Sequence, residues 1–245
     1  MRILERLGIK IVKAIVTDVD GTLTDARQSL HLGAIAALRK VHEKGIHVIL
    51  CSSRLFDVVS SLAKYLGFKS PVIAESGSVI GYYLKPVFIR EFETEIKERI
   101  ITVMTSIGFK SVPDNKCRRG DLAFKRTRKT MGMSEEEILE VLKKQGISNV
   151  TVLDSGFAVH INPIGVDKGS ALLRVLELIN VSLDETIVIG DGNNDIPMFR
   201  VAKYSIAPAN ASEKLKKMAK VVSDLSDGDL IIALAEEILS SISQP

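Results

Sequence analysis

The sequence predicts an α/β protein, a doubly wound parallel sheet interrupted by an inserted α+β module. Three observations carry this. Short apolar, strand-like runs alternate with amphipathic helical patterns up to about residue 85. The alternation breaks between 86 and 161. It then resumes and continues to the end of the chain. The expected division is therefore a core of 1–85 and 162–245 with a module of 86–161 inserted in it.

The elements follow in order. "KAIVTDV" is a β-rich run and predicts a buried strand. "LGAIAALRKVHEKG" sets Ile35, Leu38 and Val41 at helical spacing and closes on Gly45. "IHVILCS", "LFDVVSSLAKYLG" and "SPVIAES" predict strand, helix and strand, and "SGSVIGYYLKP" a turn and hairpin. Beyond Pro86, "FETEIKERIITVMTSIG" reads as an amphipathic helix and is followed by a basic stretch. "SEEEILEVLKKQG" opens with a capping box from Ser134 to Glu137, and "NVTVLDS" and "FAVHIN" are β-like. The alternation returns with a helix at "DKGSALLRVLELIN", a strand at "TIVIGD", a helix at "NDIPMFRVA" and a strand at "YSIAPA". "SEKLKKMA", "KVVS" and "DLIIALAEEILSSI" add helix, strand and helix. Residues 1–10 precede the first strand and predict at most a packing or dimer-contact helix.

Composition narrows the function classes. The chain has 245 residues, 46% hydrophobic and 26% charged, which is ordinary for a globular protein with a sizeable core. A net charge of +3 is too mild to argue for a nucleic-acid partner. No apolar run reaches the roughly 18 residues of a membrane span, and the N-terminus is broken by charge, so the expectation is a cytoplasmic protein without a membrane partner. Abundant Lys and Glu with scarce Asn and Gln hint at a heat-adapted source. Two cysteines, Cys51 and Cys117, make neither a disulfide framework nor a zinc site. A cysteine phosphatase needs Arg six residues on, and those positions hold Asp57 and Ala123.

The chemistry lies at strand ends. Asp18 and Asp20 follow the first strand, two apart and so on one face. Two such carboxylates repel unless a cation or a proton lies between them. An EF-hand starting at Asp18 would need Gly and Glu where Leu23 and Ser29 stand. A second acidic cluster, "GDGNNDIPMF", places Asp191 and Asp195 beyond "TIVI". Ile196 and Ala202 exclude an EF-hand there, and Asp195 stands where a dinucleotide fingerprint needs its third Gly. What remains is a carboxylate-rich site for a hard cation such as Mg²⁺. Ser52 in "VILCSSR" lies just past the second strand, facing the same crevice. Lys168 in "VDKGSALL" opens a helix, where the macrodipole favours anions, so a cation there points to a ligand anion that both attract.

"DVDGT" (18–22), Ser52, Lys168 and "GDGNND" (190–195), in this order, resemble the haloacid-dehalogenase superfamily of phosphotransferases. The resemblance covers essentially the whole chain and implies a Rossmann-like core with a cap. One departure is Ser53, where the family often has Gly. The resemblance implies that Asp18 is the nucleophile of an aspartyl-phosphate and that Asp20 is the general acid and base. It implies Mg²⁺ held by Asp18, the Asp20 carbonyl, Asp191 and Asp195. Ser52, Ser53, Lys168 and Asn194 would bind the phosphoryl group. Within the superfamily, the inserted cap, "SPVIAESGSVI" and the C-terminal third are similar to the phosphoglycolate phosphatases of archaea. Sugar-phosphate phosphatases of the sucrose-phosphate and mannosyl-phosphoglycerate types share this cap. A phosphomutase, or a catalytically silent metal-binding module, would share the core. The implied substrate is a small anionic phosphomonoester, and the implied assembly a monomer or homodimer.

The stretch 116–129, "KCRRGDLAFKRTRK", carries seven basic residues and one acid. Its plainer reading is a solvated strand pair. With Phe124 its one aromatic, it lacks the stacking platform of a nucleic-acid groove. The sharper expectation is that Arg118 or Arg119 leans over the crevice and takes a substrate carboxylate. His160, near the return to the core, is expected to be structural or a substrate contact.

Overall fold

The computed structural model describes residues 2–242. The chain opens with α1 (Ile3–Leu7), then runs through β1 (Ala14–Thr17), α2 (Leu32–Glu43), β2 (His47–Leu50), α3 (Phe56–Leu66) and β3 (Val72–Ala74). A hairpin of β4 (Val79–Tyr82) and β5 (Lys85–Ile89) follows. The middle carries α4 (Thr94–Ser106), β6 (Lys110–Ser111), β7 (Leu122–Lys125), α5 (Glu135–Lys144), β8 (Val150–Asp154) and β9 (Val159–Pro163). The last part holds α6 (Lys168–Ile179), β10 (Thr186–Ile189), α7 (Ile196–Val201), β11 (Tyr204–Ala207), α8 (Glu213–Lys216), β12 (Val221–Val222) and α9 (Asp227–Ile242).

Five strands form a parallel sheet in the order β12-β11-β10-β1-β2. β3 continues it through a parallel bridge from Cys51 to Ile73, and β4 and β5 extend it antiparallel. The chain thus leaves β1 in one direction toward β3 and returns on the other side of β1 toward β12. That reversal opens a crevice beyond the carboxyl ends of β1 and β10, the usual ligand site of such sheets. The residues of β1 and β10 are all buried, as strands covered by helices on both faces must be. One face packs on α2, α3 and α9 through Leu38, Val41, Val59 and Leu234, and the other on α6 and α7 through Leu172, Val175 and Phe199.

Local chemistry explains where elements begin and end. The Asp167 carboxylate accepts the Ser170 N–H at 2.7 Å and starts α6. The capping box at α5 forms as its sequence predicts, with Ser134 N donating to Glu137 Oε2 at 2.7 Å. α1 is a packing helix. Ile3 and Leu7 are buried, and its first two N–H groups donate to the Glu237 carboxylate of α9, both at 2.9 Å. β1 ends one residue before Asp18, and α7 starts only at Ile196, after a 3₁₀ turn over 193–195 and with Pro197 in its first turn.

The middle of the chain builds an antiparallel sheet, β6-β7-β9-β8, with α4 and α5 on one face. The basic stretch 116–129 is less solvated than its composition predicts. β7 sends Leu122 and Phe124 into an apolar core with Ile100, Ile138 and Ile161. The expected boundary at 85/86 falls inside β5, which pairs with β4 of the core sheet.

Candidate active site

The site is assembled where β1 and β10 stop. Asp18 N donates to Ile189 O at 2.9 Å, which extends the β1–β10 pairing by one residue and aims the Asp18 carboxylate into the crevice. Behind it lies Lys168, fully buried, with Nζ 3.0 Å from Asp18 Oδ1 and 2.6 Å from Asp195 Oδ1. An ammonium without solvent needs such partners, and two carboxylates supply them. Asp195 turns its other oxygen to the loop, where Asp191 N and Gly192 N each donate to it at 3.0 Å. Thr22 Oγ1 donates to Asp191 Oδ1 at 2.7 Å, tying the loop after β1 to the loop after β10. Gly21, with φ of 85°, lies directly against the Asp191 carboxylate, and a side chain there would collide with it.

Anions outnumber cations here. Asp18, Asp191 and Asp195 each bring a carboxylate oxygen within 4.8 Å of the others. Burial first, then Asp195, hold the Asp18 carboxyl well above the usual range despite Lys168. The same causes push Asp191 up to about 7. Burial alone would lower Lys168, but Asp18 and Asp195 outweigh it and keep it firmly protonated. Three carboxylates against one ammonium make an oxygen-only donor set with surplus negative charge. That fits a hard divalent cation held by Asp18, Asp191 and Asp195.

Asp18, Asp20, Asp191 and Asn194 line one cavity of about 330 Å³. The Asp20 carboxylate does not meet Lys168. It is gripped by Arg54, with Nε 2.9 Å from Oδ2 and Nη2 2.6 Å from Oδ1. Ser53 is also on the cavity wall and its hydroxyl accepts from Asn194 Nδ2 at 3.2 Å. Ser52 is buried beneath this wall, its N–H donating to Ile73 O and its hydroxyl accepting from Arg54 N at 3.2 Å.

The antiparallel sheet closes the far side of the cavity with Val112, Ala123, Lys125, Phe157, Ala158 and His160. Arg118 is buried on this wall. Its Nη1 donates to Asp121 Oδ1 at 2.6 Å and to Ser53 O at 3.1 Å, and its Nη2 to Asp114 Oδ2 at 3.1 Å. Arg119 is not among the lining residues; it pairs with Asp57 at 3.1 Å and lies over the Phe56 ring. Asp121 is fully buried and also takes His160 Nδ1 at 2.8 Å. Burial would raise its carboxyl, yet Arg118 and His160 outweigh burial and hold it below the usual range. Glu75, another buried acid, accepts from Arg119 N at 2.7 Å and Gly120 N at 2.9 Å and so joins the two sheets.

The structure thus brings Asp18, Asp20, Ser53, Asn194, Asp191 and Arg118 to one cavity, with Ser52, Lys168 and Asp195 behind them. Sequence reasoning missed Arg54, Thr22, Asp121 and Glu75. Arg54 and Thr22 sit inside the quoted motifs, and Asp121 is the lone acid of the basic stretch, so each had a faint local signal. Glu75 had none.

Comparison with known proteins agrees with this geometry. The profile of the haloacid dehalogenase-like hydrolase family matches residues 15–116 and 110–232. A phosphoglycolate phosphatase of Methanopyrus kandleri is 32% identical over 231 residues, 93% of this chain and 97% of that protein. One from Archaeoglobus fulgidus is 35% identical over 220 residues, 90% of this chain and 94% of its own. The crystal structure of Thermoplasma acidophilum 0175 superposes with a TM-score of 0.80 at 28% identity, covering 94% of this chain and 99% of that one. With paired acidic loops, a buried lysine and the family match over both parts of the core, this chain belongs to the haloacid dehalogenase-like hydrolases.

Proposed function

We propose that the chain is a Mg²⁺-dependent phosphomonoester hydrolase that works through an aspartyl-phosphate on Asp18 and cleaves 2-phosphoglycolate to glycolate and phosphate. The observation that carries this reading is the cavity that holds Asp18 and Asp20 together, backed by Lys168 and the acidic cluster. The relatives named phosphoglycolate phosphatase, matched over nearly their whole length, support the substrate.

In this reading an oxygen of Asp18 attacks phosphorus, and the bond from phosphorus to the leaving oxygen breaks as Asp20 delivers a proton to it. Asp20, now a carboxylate, takes a proton from water. That water attacks phosphorus and releases Asp18. Arg54 grips both oxygens of the Asp20 carboxyl in the arrangement described, so the pair opens for the acid step. Lys168 draws Asp18 toward its ionised form, against burial and Asp195, and braces its Oδ1 from behind. Ser52, Ser53 and Asn194 frame the place for the phosphoryl oxygens. Asp18, Asp191 and Asp195 would hold Mg²⁺, which when bound would supply the positive charge that lets a carboxylate approach a phosphate dianion. The four-stranded unit, expected as 86–161, acts as the cap that excludes water and reads the leaving group.

Phosphate release from 2-phosphoglycolate, with Mg²⁺ and with EDTA, tests the reading. Acid-quenched turnover should leave one phosphoryl group on the peptide that contains Asp18. No Mg²⁺-dependent release from any phosphomonoester of a broad panel would end it.

A further inference from the structure

Cations at the reaction end of the cavity are all committed. Lys168 holds Asp18 and Asp195, Arg54 holds Asp20, and Arg118 holds Asp121, Asp114 and the Ser53 carbonyl. Lys125 differs. It lines the same cavity, is exposed, and among the described residues its side chain makes no hydrogen bond or ion pair. Its position follows from strand alternation. Leu122 and Phe124 of β7 point into the apolar core of the cap, so Ala123 and Lys125 share the opposite face, which lines the cavity.

His160 lies on β9 directly across from Ala123 and lines the same wall. A small residue beside it leaves room for a ligand. Its Nδ1 is engaged by the buried Asp121, which leaves Nε2 as the ring atom available to the cavity. Asp121 is itself locked by Arg118 at 2.6 Å and by the Ser76 hydroxyl at 3.2 Å, so the ring is held from behind. The Asp121 carboxylate can only accept, so Nδ1 donates to it, and a ligand anion in front of the ring would be met by an N–H at Nε2.

We propose that Lys125 and His160 form the subsite for a second anion on the substrate, a carboxylate on the leaving-group side, and that Asp121 and Arg118 are positioning residues for His160. This rests on reading the chain as a phosphatase of a short phosphorylated hydroxy acid. It replaces a direct arginine–carboxylate contact by a lysine–histidine one, because both terminal nitrogens of Arg118 are already engaged by Asp121, Asp114 and the Ser53 carbonyl.

The test compares kcat/KM for 2-phosphoglycolate with that for 2-hydroxyethyl phosphate, which has a neutral alcohol in place of the carboxylate. The wild type should prefer phosphoglycolate. In Lys125→Met and in His160→Gln that preference should fall about tenfold or more, mainly through KM. Asp121→Asn should lower it alone and add little in the His160→Gln background, which a merely structural role would not produce. Lys125 is exposed, so its variant reports even if the buried ones misfold. A wild-type preference that survives unchanged in Lys125→Met overturns the subsite and leaves the substrate reading standing. A wild type with no preference for the carboxylate overturns both.

Discussion

The two walls of the cavity are built on opposite charge logic. Asp18 and Asp121 are both buried carboxylates with a cation beside them. Asp18 shares Lys168 with Asp195 and has Asp191 near it, so its carboxyl is held well above the usual range. Asp121 has two cationic partners, Arg118, which it shares with the more exposed Asp114, and His160, so its carboxyl is held below that range despite burial. Burial acts the same way on both; the local count of charges decides the sign. The core wall is left short of positive charge and can take a metal. The cap wall satisfies its anion internally and presents Lys125 and His160 to the cavity.

The contrast can be broken most severely at Asp18. Asp18→Asn should lower turnover by about a thousandfold or more, the scale on which nucleophiles are lost. Because it removes one of three mutually repelling carboxylates, its melting temperature in EDTA should not fall. A large loss of stability would show that the Asp18–Lys168 pair, not the surplus of anions, dominates the site. On the cap wall the stability effect reverses. Asp121→Ala leaves Arg118 buried and without its main partner, and denaturant unfolding should show a cost of about 3–5 kcal/mol.

The pH dependence sharpens the same comparison. Asp191 has a folded-state value of about 7 against an ordinary 3.8, so the folded protein binds more protons between those values. Without metal, its contribution to stability is fully present below about pH 4 and declines as pH rises to about 7. Asp121, held low, contributes stability above its unfolded value that is lost as pH falls through its folded one. Melting curves in EDTA should therefore show Asp121→Asn weakening acid sensitivity below pH 4 and Asp191→Asn weakening the decline toward pH 7. Mg²⁺ must displace the Asp191 proton, so the rise in melting temperature on adding Mg²⁺ should be larger at pH 8 than at pH 5. The smallest effect belongs to Thr22→Val, which removes one hydroxyl donor from Asp191. Calorimetry should show Mg²⁺ binding weakened by roughly three- to tenfold.

Much of the core was legible because its signals are local. Asp18 and Asp20, and Asp191 and Asp195, each fall within five residues at the end of an apolar strand, where chain order alone puts them at one edge of the sheet. Lys168 at a helix start was readable for the same reason. The cap was harder. The plainer reading of 116–129 allowed for a strand at β7, but the basic residues around it hid its burial, and β6 has only two residues.

By itself the sequence determined the sheet, the acidic loops at its edge and the family, since strand period, helix period and short motifs are written in consecutive residues. Tertiary structure alone decided the partners. Arg54 reaches Asp20 from 34 residues away, His160 reaches Asp121 from 39, and Thr22 reaches Asp191 from 169. Which carboxylate is raised and which lowered depends on those meetings, because the field at a buried group is set by whatever charges share its few ångströms of space, wherever in the chain they arise.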